Sequence, residues 1–149
     1  MDALALLKQD HQEVKALMQQ AEASEDPSER LDLFSSIKIA LEMHTHIEEE
    51  VFYPALEIHE ELKDLVLEAY EEHQQVKTLL EEIDDLSEDD ETFAPKLKVL
   101  RENVEHHAEQ EEEAKMFPLI RKLFDPSALN KLGQKLAAEK TAYAEEEED

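Results

Sequence analysis

The chain has no cysteine and no tryptophan, a single glycine, and far fewer basic than acidic residues. Without cysteine there are no disulfides, zinc ribbons, iron–sulfur clusters or thiol nucleophiles, so any bound metal must be held by nitrogen and oxygen. One glycine leaves little room for a phosphate loop or a nucleotide fingerprint, and it disfavours a sheet with its tight turns. Fifteen Lys and Arg against forty Asp and Glu give a formal charge of -25, a field that repels phosphate backbones and anionic lipid. Neither nucleic acid nor a membrane is therefore expected as a partner, and most of the acid is read as a solvated face. No run approaches transmembrane length, and Met1–Lys8 lacks the basic and apolar regions of an export signal, so the cytoplasm is the expected address.

What remains is rich in Leu, Ala, Glu and Lys, and it is patterned for helices. Leu4, Leu7, His11, Val14, Met18 and Ala21 recur at steps of three and four, which predicts an amphipathic helix over 3–22. A second is expected over about 29–58, capped by Ser28, with the stripe Leu31, Phe34, Ile37, Leu41, His44, Glu48, Val51, Ala55 and a kink at Pro54. A third, about 62–86, carries Leu62, Val66, Ala69, His73, Val76, Leu80 and Ile83. The fourth, about 93–124, carries Leu97, Leu100, Val104, His107, Glu111 and Ala114. These four form an all-α, up-down antiparallel four-helix bundle over residues 1–126. Asp125-Pro126-Ser127 then restarts a short fifth helix in a C-terminal segment, 127–149, which packs on or trails the bundle and ends in an acidic tail, Glu145–Asp149, expected to be disordered.

The sequence also repeats itself. His11-Gln12-Glu13-Val14-Lys15-Ala16-Leu17 matches His73-Gln74-Gln75-Val76-Lys77-Thr78-Leu79, each preceded by an acid, Asp10 or Glu72. The second histidine of each half follows at a nearly equal interval, has a glutamate four residues on, and runs into a cluster of acids and a proline. A helix pair repeated in this way gives a bundle with a pseudo-twofold axis, across which matching residues face one another. Four histidines and two glutamates then converge: His11, His44, Glu48, His73, His107 and Glu111. A pair four residues apart points the same way about 5.4 Å further along the helix, so both side chains can serve a shared pair of ions. Glutamates buried without a cation would each cost several kcal/mol or be driven to protonate. Imidazole with bridging carboxylate favours iron or manganese over zinc, and it leaves coordination positions open.

Neighbouring residues compete for these places. His46 has Glu50 four residues on but lies about 200° round the helix from His44, and His106 lies about 100° from His107, so the apolar stripe selects His44 and His107. His59 is expected to cap or face water; Lys15 and Lys77 are expected to snorkel, with orienting a carboxylate or restricting ligand access as the alternative, and Tyr53 and Tyr70 to pack, with lining the site or a redox path as the alternative.

Asp10-His11, His44-Thr45-His46-Ile47-Glu48-Glu49-Glu50-Val51-Phe52-Tyr53-Pro54, Glu72-His73, His106-His107-Ala108-Glu109-Gln110-Glu111, and Leu132-Gly133 with Lys140 together resemble the hemerythrin-like family, or HHE cation-binding domain, over roughly residues 4–140. The resemblance implies a non-haem centre of two iron ions bridged by carboxylates and an oxo or hydroxo group, with manganese or zinc as alternatives. O2, NO or peroxide is the implied small ligand, with a redox protein as a possible partner. Oxygen-carrying members have another histidine one turn after the third-helix ligand, where this chain has Lys77, which turns the expectation from transport towards sensing or redox chemistry. Three functions stay in competition: a diiron protein that binds or senses O2 or NO or handles iron, a diiron oxidoreductase acting on peroxide or O2, and a metal-free acidic interaction module.

Overall fold

The computed structural model describes residues 1–148, with side chains described as far as residue 146. Every regular element among the described residues is helical. Helix α1 (Ala3–Ala23) starts where the Asp2 carboxylate accepts the Ala5 amide at 2.8 Å, satisfying one of the free amides of the first turn. Helix α2 (Pro27–Ile47) is capped by Asp26 rather than by Ser28; Pro27 takes the first helical position, and the Ser28 amide donates to the Asp26 carboxylate. The rod continues as a π-helical segment, Glu48–Phe52, and a last α-helical turn, α3 (Tyr53–Leu56). A 3₁₀ turn, Glu60–Leu62, leads into α4 (Lys63–Asp84). The fourth rod joins α5 (Phe93–Glu105), a longer π-helical segment (His106–Met116) and α6 (Phe117–Leu123).

Each π-helical segment ends two residues before a proline, Pro54 or Pro118. Proline has no amide to give to the carbonyl four residues back, so the regular ladder is already broken there and the helix widens locally to i→i+5 bonding. The Tyr53 amide donates to the Glu48 carbonyl and the Phe117 amide to the Glu112 carbonyl, each bond spanning five residues. At Pro54, where the sequence predicts a kink, the helix widens.

Short connections make the four rods antiparallel neighbours. Along each rod a polar layer separates two apolar cores. One core gathers Leu4, Leu7, Phe52, Leu62, Val66 and Phe117, and the other Val14, Met18, Phe34, Leu41, Val76 and Leu97. The histidines interrupt the stripe at the same height in all four rods, so the layer they form lies inside the bundle and is closed at both ends.

Helix α7 (Pro126–Glu148) packs against α1 and α2. It is longer than expected: residues predicted to be a disordered tail, Glu145–Glu148, continue the helix, as befits a stretch of strong helix formers, and Asp149 lies outside the described residues. Gly133, the one glycine, sits where α7 crosses the start of α1. A methyl group there would meet the Asp2 carbonyl carbon and the Ala3 nitrogen at 2.9 Å, so only glycine lets the two backbones approach. No helix among the described residues is long and apolar enough to cross a membrane.

Candidate metal centre

Five of the six side chains expected at the centre meet there, and a different glutamate takes the sixth place. His11, His44, Glu48 and Glu112 form one group of converging ligand atoms, and Glu48, His73, His107 and Glu112 form a second. The two carboxylates belong to both groups, so each could serve two adjacent ions. Glu111, the residue the i+4 rule selects, lies outside, beside His106 and Glu72.

The correction follows from the π-helical segment. With i→i+5 bonding from His106 to Met116, the residue five places after His107 returns to its face, and that residue is Glu112. On the second rod, His44 and Glu48 are joined before widening begins, and the i+4 rule holds. A signal for this exists in the sequence. Pro54 and Pro118 stand 64 residues apart, as do Glu48 and Glu112, whereas His44 and His107 stand 63 apart. The second half therefore carries one extra residue between its histidine and the glutamate shared by both groups.

The outer layer obeys the same symmetry. Each histidine has its Nδ1 against a carboxylate: His11 on Glu113 at 2.8 Å, His44 on Asp10 at 3.2 Å, His73 on Glu49 at 2.9 Å and His107 on Glu72 at 2.9 Å. Asp10 and Glu72 each precede the first histidine of a half, while Glu49 and Glu113 each follow a bridging glutamate. An ionised carboxylate only accepts, so each Nδ1 carries a proton, and a ring that is neutral turns its Nε2 lone pair inward. This is the tautomer a metal ligand needs. In the sequence Asp10 and Glu72 stand out only as acids flanking His11 and His73; their role as histidine partners comes from the fold.

The inward atoms crowd together in a way that calls for positive charge. His11 Nε2 lies 3.1 Å from His44 Nε2, and His73 Nε2 lies 3.1 Å from His107 Nε2, so with the rings neutral two lone pairs would face each other. Glu48 and Glu112 are both 0% exposed, and the Oε2 of each has no hydrogen-bond partner. Such orphaned buried oxygens are costly unless a cation takes them up. Two first-row ions with nitrogen and oxygen ligands fit this donor set.

Without metal, protons have to supply the missing charge. Burial alone would lower the pKa of His44, but the carboxylates of Glu48 and Asp10 outweigh it and push the ring up to about 10. Against the same cost of burial, Glu48 and Glu49 raise His73, and Glu112 with Glu48 and Glu72 raises His107 well above the ordinary range. Burial and the neighbouring Glu48 charge push Glu112 up. Glu48, although burial opposes its charge, is held well below the usual carboxylate range by His44, His107 and the hydrogen bond from Glu112.

Tyr53, expected to pack, also reaches the layer. Its buried hydroxyl lies 3.2 Å from His73 Nε2 and donates to Glu112 Oε1 at 3.3 Å, while burial and both bridging glutamates keep the phenol protonated. Its counterpart in the repeat is Phe117, whose ring stacks beside His11, so one half of the centre has a hydroxyl and the other a phenyl ring. Tyr70 stays outside, edge-on to Tyr53 and bonded to Glu57. His46 bonds Glu139 on α7, and His59 packs edge-on against Phe124. Lys15 pairs with Glu109 rather than only snorkelling, and Lys77 pairs with Glu49 at 3.3 Å, which ties it indirectly to His73.

A cavity of about 20 Å³ adjoins the histidines, walled by Val14, Leu41, Val76, Val104 and Ala108. That is room for one water-sized or diatomic molecule.

This architecture has counterparts. The family model of the hemerythrin HHE cation binding domain matches residues 2–120. The chain belongs to that family. The crystal structure of an HHE cation binding domain-containing protein from Mycobacterium kansasii superposes with a TM-score of 0.84 at 28% identity, covering 96% of this chain and 87% of that one. A DNA nickase from Nostoc sp. is 32% identical over 116 residues, which cover 78% of this chain but only 32% of the relative's own length. As an HHE domain the chain is a cation-binding protein, with His and Glu clusters able to hold the metal.

Proposed function

We propose that this HHE domain holds two non-haem iron ions between His11, His44, Glu48, His73, His107 and Glu112 and binds a small diatomic ligand, O2 or NO, beside them. The observation that carries this reading is the pair of shared, buried glutamates whose free oxygens have no hydrogen-bond partner, within a ring of four histidines that also lines an apolar cavity of diatomic size. The iron would supply open coordination positions and a change of oxidation state. The chain's own part is to fix the four imidazoles in the correct tautomer, to keep water out with Val14, Val76 and Val104, and to offer a hydroxyl at Tyr53.

The test is NO binding to the reduced, iron-loaded protein. Saturable binding seen by absorption and electron paramagnetic resonance is expected, and Val104→Phe, which crowds the cavity, should slow it while leaving the iron content unchanged. An iron-loaded protein blind to NO would end this reading.

The Tyr53 hydroxyl favours a second reading, an oxidoreductase acting on peroxide or O2, because a buried acid within reach of the centre can deliver a proton to a reduced oxygen species. Peroxide turnover that is lost in His73→Ala and much reduced in Tyr53→Phe, at unchanged iron content in the latter, would support it. The nickase activity of the Nostoc relative is not carried over: the match spans a third of that protein, and a charge of -25 repels DNA.

A further inference from the structure

We propose that Glu72, His106 and Glu111 form an outer, solvent-facing site for one divalent first-row transition-metal ion, separate from the buried pair and linked to it through Glu72. The three side chains bring ligand atoms within 4.8 Å of one another. His106 Nδ1 donates to the Gln110 Oε1 at 3.1 Å, which fixes the tautomer and turns the Nε2 lone pair towards the carboxylates. That Nε2 lies 3.5 Å from Glu72 Oε2 and 3.5 Å from Glu111 Oε1, too far for good hydrogen bonds and with acceptor facing acceptor. Glu111 is held in place by burial, while His106 is 50% exposed, so the open side of the site faces water.

A second observation comes from the symmetry of the outer layer. Asp10, the counterpart of Glu72, binds His44 with one oxygen and the Lys140 ammonium with the other at 2.5 Å. Glu49, which orients His73, is likewise paired with Lys77. Glu72 binds His107 with Oε1, but among the described residues no Lys or Arg forms an ion pair with it, and its Oε2 faces His106. The place that an ammonium fills beside Asp10 is thus provided with an imidazole and a second carboxylate beside Glu72. One imidazole nitrogen with two carboxylates suits manganese, iron, cobalt or zinc, with water completing the shell.

The ion has one competitor, Lys115, which reaches Glu111 Oε1 at 3.0 Å from an exposed position. The outer site is therefore weaker than the buried pair and readily exchanged. The proposal does not depend on what occupies the buried pair.

Equilibrium dialysis against Co2+ at physiological ionic strength, which damps unspecific binding to the acidic surface, provides the test. The wild-type chain should bind one more Co2+ than either His106→Ala or Glu111→Gln, with helicity unchanged by circular dichroism. Lys115→Gln should tighten that weakest step by about threefold, the scale of an exposed ion pair. Equal counts in the wild type and His106→Ala, or no change in the weakest step on removing Lys115, would overturn the proposal. Failure of the buried centre would look different, lowering the wild-type and variant totals alike and leaving their difference of one.

Discussion

Asp10 makes two contacts that shape one ligand: its Oδ2 fixes the proton on His44 Nδ1 and its Oδ1 is anchored by Lys140 on α7. Burial would raise this carboxyl, yet His44 and Lys140 hold it below the usual range, so it stays an acceptor. Asp10→Asn keeps the shape but can turn its amide towards the ring and favour the wrong tautomer. Metal affinity should fall by about 10–100-fold, measured by competition with a chelator. At this scale the four histidines and Glu48 were legible because a polar residue on an apolar stripe has to be explained. Glu112 was not, because three consecutive glutamates differ only in register, and register depends on how the helix is wound. Tyr53 could be read either way, because a tyrosine on a buried face is a good packing residue wherever its hydroxyl ends up, and the hydroxyl's partners come from two other rods.

The elements turn that residue code into geometry. Caps, stripes and breaks placed the helices to within a few residues, since each of those signals acts locally. The π-helical segments are less local: Pro54 and Pro118 break the ladder, but only the pull of ligands inside the bundle and packing on the outside decide that the break is absorbed by widening. Helix α7 shows the reverse case, in which one residue carries the information. Gly133 permits the crossing with α1 that in turn sets Lys140 against Asp10. Gly133→Ala should destabilise the chain by about 1–3 kcal/mol in chemical unfolding, as overpacking does, although alanine is the better helix former. A neutral or stabilising effect would show that the crossing is loose.

For the whole molecule, two apolar cores are held apart by a layer whose buried carboxylates need either protons or metal cations to balance them. Metal should therefore act as part of the fold. At free ion a hundredfold above Kd, binding to the native state alone adds about 2.7 kcal/mol, and chelation should lower Tm by roughly 5–11 °C for a chain of this length. No shift with metal would favour the metal-free interaction module instead. The charge of -25 was plain in the sequence, but composition alone does not separate a solvated face from a cation-gathering one; the enclosed position of Glu48 and Glu112 does. The most direct test of the centre counts tightly bound iron per chain after expression with iron and desalting. Two ions are expected in the wild type and in Glu111→Gln, and a marked loss in Glu112→Gln. Loss of iron in Glu111→Gln with two ions retained in Glu112→Gln would contradict this expectation.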